Sequence, residues 1–274
     1  MTARLKLFFI AFAALSLIGF FDAAFADNIQ RSSGTLYTSD NIEISCDHYR
    51  RGFDSVVIVC PGFFNSKDNR WMRKTVDMLL GEYDVIIFDF RGHGKSAGKY
   101  TWSAKEKADV DTVVNYAVSR GYKNIGILAF SLGAAAAVND AAARNDIKSM
   151  VLISCPSAFN SIDYHFWEPG MWADLKDNID SKWAGKGART GSILLHKEDP
   201  INSIGGIKDS AILFINGDED WVIKPWHSKT LYDKTNTYKK IEIIEGGFHA
   251  ERLIQFHYDR MSRLILDWFS KTLR

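Results

Sequence analysis

A serine, a carboxylate and a histidine can together make an alcohol nucleophilic, and this chain presents all three at the ends of apolar runs. Ser131 follows Asn124-Ile125-Gly126-Ile127-Leu128-Ala129-Phe130 and precedes Leu132, Gly133 and the alanines 134–137. The first stretch reads as a buried strand and the second as a helix. A strand that turns sharply into a helix around one hydroxyl has the geometry of a nucleophile elbow. Small residues at Ala129 and Gly133 would let the two elements approach closely. Ala129 stands where the G-x-S-x-G pattern carries glycine, and it is the smallest replacement. The competing reading is a serine that caps the helix N-terminus.

Farther along, the apolar run Ala211 to Asn216 ends at Gly217, and the acids Asp218, Glu219 and Asp220 follow at once. A second run, Lys240 to Ile244, leads into Gly246-Gly247-Phe248-His249. The order serine, acid, histidine is the one associated with the elbow. His227 and His257 also lie downstream of the acids. His257 falls inside an expected helix, where a packing or surface role is the ordinary one.

The elements that must position these groups alternate. Strands are expected at 42–49, 55–60, 84–90, 125–130, 149–154, 211–216 and 240–244, rich in Ile, Val and Phe as strands buried on both faces are. Ser103-Ala104-Lys105-Glu106 spells a capping box opening a helix to about Arg120. Residues 250–273 read as one long amphipathic helix. The pattern predicts an α/β fold, a mostly parallel sheet with helices on both faces. About 55 residues separate two of these strands, and such a length marks an insertion at about 156–209. It carries Phe159, Tyr164, Phe166, Trp167, Trp172 and Trp183 and reads as a cap over the site; an ordinary surface excursion is the alternative.

The 274 residues carry a formal net charge of +1. Arg4 and Lys6, the apolar stretch from Leu7 to Phe21 and Ala24-Phe25-Ala26 spell a secretory signal peptide cut after Ala26. The protein is then expected to be secreted or periplasmic, with no stable membrane span after cleavage; an uncleaved N-terminal anchor is the alternative. The leader holds Arg4, Lys6 and Asp22, so residues 27–274 are formally neutral. That balance offers no general attraction to nucleic acid. Cys46, Cys60 and Cys155 are too few and scattered for a disulfide framework, and no cysteine or histidine spacing suggests a metal site.

Asp89-Phe90-Arg91-Gly92-His93-Gly94-Lys95-Ser96 mimics two nucleotide motifs and satisfies neither. A phosphate-binding loop ending at Gly94-Lys95-Ser96 would need glycine at Asp89, and a dinucleotide fingerprint from Gly92 would need one at Ala97. These glycines read as turn formers and His93 as structural.

Taken together, these segments resemble the α/β-hydrolase family from about Ile42 to the C-terminus, the insertion excepted. The resemblance implies a single domain over 27–274. It maps the orienting acid to Asp220, three residues after the strand-end Gly217, and the base to His249 in its Gly-x-His setting. The oxyanion donors would be the amides of Leu132 and, after Pro61-Gly62, of Phe63. The family often has His-Gly-x there, so Pro61 is a departure. The expected chemistry is hydrolysis of carboxylic ester-type bonds in a small acyl substrate through a Ser131 acyl-enzyme, with no cofactor. Phe64, Trp167 and Trp172 are expected to contact an apolar part of that substrate. The same triad would also serve an acyltransferase, and a silent binding protein could keep the fold.

Overall fold

The structure, a computed structural model, describes residues 29–162, 172 and 187–273. Eight strands form one sheet: β1 (Gln30–Tyr37), β2 (Glu43–Arg50), β3 (Ser55–Cys60), β4 (Asp84–Phe88), β5 (Asn124–Phe130), β6 (Ile147–Ile153), β7 (Ala211–Gly217) and β8 (Lys239–Ile244). Their order across the sheet is β1-β2-β4-β3-β5-β6-β7-β8. The first two strands run antiparallel to their neighbours, and β3 through β8 pair in parallel.

Alternation along the strands divides the core into two layers, because successive side chains point to opposite faces. In β3, Val56, Ile58 and Cys60 join one layer, while Val57 and Val59 join the other. The first layer is covered by α2 (Lys107–Ser119) and α3 (Ser131–Ala141), with Leu231 of α5 (Pro225–Lys234). The second is covered by α1 (Arg70–Leu79) and α7 (Tyr258–Thr272). The expected mostly parallel sheet with helices on both faces is therefore present. Cys46, Cys60 and Cys155 are buried and free, and burial pushes the Cys46 thiol up to about 11.

Several local expectations need correction. Ser103 does not cap α2: it adopts φ +69° and its hydroxyl has no hydrogen-bond partner. Glu106 instead reaches back to Thr101, accepting from its amide at 2.7 Å and its hydroxyl at 3.0 Å. The terminal helix is two helices, α6 (Glu251–Phe256) and α7, broken at His257 with φ −126° and ψ 34°. The strand expected at 84–90 stops at Phe88. The Asp89 amide still donates to Ser45 O of β2 at 2.9 Å, while its carboxylate accepts the amides of Lys67 at 2.7 Å and Lys95 at 2.8 Å and anchors the turn that follows. The glycines after it are turn formers in left-handed backbone, with φ +76° at Gly92 and +43° at Gly94.

Within the 156–209 stretch the described residues include a 3-10 turn at Phe159–Ser161 and the short α4 (Pro200–Ser203). Tyr164, Phe166, Trp167 and Trp183, and the expected signal peptide at 1–26, lie outside the described residues. Among the described residues no helix is long and apolar enough to cross a membrane.

Candidate active site

Ser131 stands at the turn from β5 into α3 with φ +50°, a left-handed conformation rare for a residue with a side chain. Gly133 makes the turn possible. A Cβ there would collide with the Pro61 carbonyl oxygen, so α3 and the loop after β3 can touch only through glycine. Ser131 does not occupy the N-cap of its helix: that position is Phe130, and Ser131 is the first helical residue. Its Oγ lies 3.0 Å from His249 Nε2.

His249 follows β8 and Asp220 follows β7. The two loops pack backbone to backbone: a Cβ on Gly217 would collide with the Gly247 carbonyl, and the Glu219 amide donates to Gly247 O at 3.0 Å. Asp220 is fully buried. Its Oδ1 accepts the amides of Val222 at 2.9 Å and Ile223 at 2.8 Å, and Oδ2 lies 2.8 Å from His249 Nδ1. A carboxylate can only accept, so Nδ1 carries the ring proton and Nε2 is left with a lone pair facing the serine hydroxyl. The rivals separate by position. Asp218 and Glu219 are exposed. His227 is buried beside Ser157, with Nδ1 2.9 Å from its hydroxyl, and burial pushes it down to about 4. His257 contacts Gly246 O at 3.2 Å.

Ser131, His249, Phe63, Phe64 and Leu132 line one cavity of about 970 Å³. Ile162, Trp221, Val222 and Ile223 extend its apolar wall. Leu132 lies in the first turn of α3, where amides lack an intrahelical acceptor. The Phe63 ring stacks on Tyr100 at 5.0 Å and packs against Trp102 at 4.8 Å. His93 is structural in a specific sense. Its Nδ1 faces Arg91 O at 3.2 Å, so Nε2 is the acceptor for the Phe64 amide, also at 3.2 Å. Burial pushes its pKa down to about 4, which keeps the ring neutral and accepting. Trp172, expected to contact substrate, is 61% exposed and is not among the described residues that line the cavity. Trp167 lies outside the described residues.

Three supporting residues belong to no motif in the sequence. Ser154, at the end of β6 with φ +52°, accepts the Ala250 amide at 3.1 Å. Ala250 follows His249 and is itself left-handed at φ +48°, so the hydroxyl holds a strained turn beside the imidazole. Asn216 donates to Ile223 O at 2.8 Å and accepts from the Ser228 hydroxyl at 2.7 Å, bracing the Asp220 loop. Glu251 also lines the cavity. Its proximity to His249 in the chain is the one hint the sequence offered.

A family model described as alpha/beta hydrolase fold matches residues 55–184. An esterase of Pyrococcus furiosus is similar in structure, with a TM-score of 0.70 and 22% identity, over 90% of this chain and 94% of that one. A thermophilic esterase of Thermogutta terrifontis also has a TM-score of 0.70, at 15% identity, over 89% of this chain and all of that one. In sequence, the uncharacterized protein YqkD of Bacillus subtilis is 29% identical over 209 residues, 72% of this chain. The match spans 65% of the length of that relative. With its mostly parallel sheet, the sharp turn at Ser131 after β5 and this matching family model, the chain has the alpha/beta hydrolase fold.

Proposed function

We propose that the protein is a serine hydrolase that cleaves carboxylic esters with an apolar acyl portion. The observation that carries the reading is the continuous path Asp220–His249–Ser131, with contacts of 2.8 and 3.0 Å. His249 Nε2 takes the hydroxyl proton as Ser131 Oγ attacks the carbonyl carbon. The amides of Leu132 and Phe63 receive the developing oxyanion. The imidazolium returns the proton to the departing alcohol, and water then attacks the acyl-enzyme with the same base. The buried Asp220 carboxylate stabilises the imidazolium in each step. The apolar walls around Phe64 and Ile223 suit an acyl chain. Two similar solved structures are esterases, which supports the same reading. The leader-like start extends the proposal to an exported enzyme, whose mature chain would begin at Asp27.

The test is a series of p-nitrophenyl esters of increasing acyl length, run on the full protein and on Ser131→Ala. The wild type should turn them over and label with a fluorophosphonate. The variant should lose the label and on the order of 10⁶-fold in kcat. Turnover that survives in Ser131→Ala would reject the mechanism.

A further inference from the structure

Two loops that must hold a fixed spacing are joined by a hydrogen bond outside the triad. Asn65 lies in the turn that carries Phe63 and Phe64, and its amide donates to Gly62 O at 3.2 Å. Glu251 lies just past His249, at the start of α6, with its side chain on the cavity wall. Asn65 Nδ2 donates to Glu251 Oε1 at 2.6 Å, across 186 positions of chain. Both residues are buried, at 2% and 9% exposure.

A carboxylate accepts and does not donate, so the amide is fixed with Nδ2 toward Glu251 and Oδ1 away from it. That Oδ1 is buried with no hydrogen-bond partner. An unpaired buried acceptor costs stability, so a well-packed apolar residue would serve folding better at this position. The amide is kept at a cost, which directs attention to what its N–H holds. The Phe63 turn is already tied to the sheet side of the site, where the Phe64 amide meets His93 and the Lys67 amide meets Asp89. The Asn65–Glu251 bond ties the same turn to the opposite loop, the one bearing the base.

We propose that Asn65 and Glu251 are positioning residues that set the spacing between the oxyanion donor of the Phe63 turn and the imidazole of His249. The proposal rests on the serine-hydrolase reading. Proton transfer from Ser131 and movement of the carbonyl oxygen into its donors happen together, so donor and base must be in register. Asn65 and Glu251 act through those groups.

The experiment compares wild type, Asn65→Ala, Glu251→Ala, the double variant and Glu251→Gln. Thermal melts accompany kcat and KM on a p-nitrophenyl ester and the rate of fluorophosphonate labelling. Each single alanine variant should lose kcat by on the order of 10–100-fold with KM unchanged, and labelling should slow in parallel. The double variant should be no slower than the slower single one. Glu251→Gln, whose carbonyl oxygen still accepts from Asn65, should recover most of the loss. Losses that multiply in the double variant, losses confined to KM, folded variants with wild-type kcat, or a Glu251→Gln as slow as Glu251→Ala would each overturn the proposal. If Asn65→Ala does not fold, the contrast between the two Glu251 variants decides the matter alone. A wild type that neither hydrolyses esters nor takes the label would overturn the serine-hydrolase reading and this proposal with it.

Discussion

Replacing Asp220 by Asn changes one atom and should disable the base. Oδ1 is held by the amides of Val222 and Ile223, at 2.9 and 2.8 Å, so the carboxamide oxygen must occupy that place. The new NH2 then takes the position of Oδ2, 2.8 Å from His249 Nδ1. A donor there opposes the Nδ1 proton and favours the tautomer with the proton on Nε2, against which stands only the carboxamide oxygen at the Oδ1 place, 2.9 Å from Nδ1 and already shared with two amides. Facing Ser131 Oγ at 3.0 Å, a protonated Nε2 cannot receive the hydroxyl proton. The same change in a serine protease triad lowers kcat about 10⁴-fold, equivalent to roughly 5.4 kcal/mol of transition-state stabilisation. Stability should move much less. Two charge-assisted amide bonds become neutral ones, at about 1–2 kcal/mol in all. The assay pairs kcat on a p-nitrophenyl ester with the denaturant midpoint of the same preparation. A folded Asp220→Asn within about tenfold of wild type would refute the tautomer argument. So would an equal loss in Asp218→Asn, whose side chain faces solvent.

Other perturbations test the supports. Gly133→Ala drives a methyl into the Pro61 carbonyl and should lower stability by about 1–3 kcal/mol; an unchanged denaturant midpoint would contradict the packing at the elbow. His93→Ala removes the acceptor of the Phe64 amide and should cost about 1–3 kcal/mol, with kcat falling more than KM rises as the Phe63 turn loosens. Stability should also depend on pH through His48, His93 and His227, each pushed by burial down to about 4. An unfolded histidine titrates near 6.5, so between about pH 6.5 and 4 the unfolded chain binds protons that the native chain refuses. Their contribution is intact above that window and is lost as the pH falls through it, with a slope approaching about 1.4 kcal/mol per pH unit for each histidine. Denaturant midpoints that stay level from about pH 7 to 4.5 would refute that account.

The candidate triad Ser131, Asp220 and His249 was legible because each member follows an apolar strand with a glycine close to its end, and Gly133 and Gly217 then prove to be points where two backbones touch. Features without a local pattern were not legible. Strand β1 pairs with β2 through backbone bonds while most of its side chains are exposed, so Gln30–Tyr37 shows neither an apolar run nor alternation. Apolar periodicity runs straight through His257 and conceals the break between α6 and α7. Ser103 had the right spacing from Glu106 for a capping box, but Thr101 was nearer to the carboxylate in space. The Asn65–Glu251 bond joins residues too far apart in the chain for spacing to reveal.

The sheet order has a bearing on how such a protein would fail. The proposed nucleophile and base ride on strands of unequal security: β5 sits mid-sheet and is buried nearly throughout, whereas β8 is an outer ribbon and is half wetted along its length. Peripheral ribbons detach from a fold at lower free energy than its interior. Warming would therefore unseat the imidazole while the serine still stands on an intact scaffold, and cooling would let the ribbon zip back and restore turnover without the chain ever having come apart.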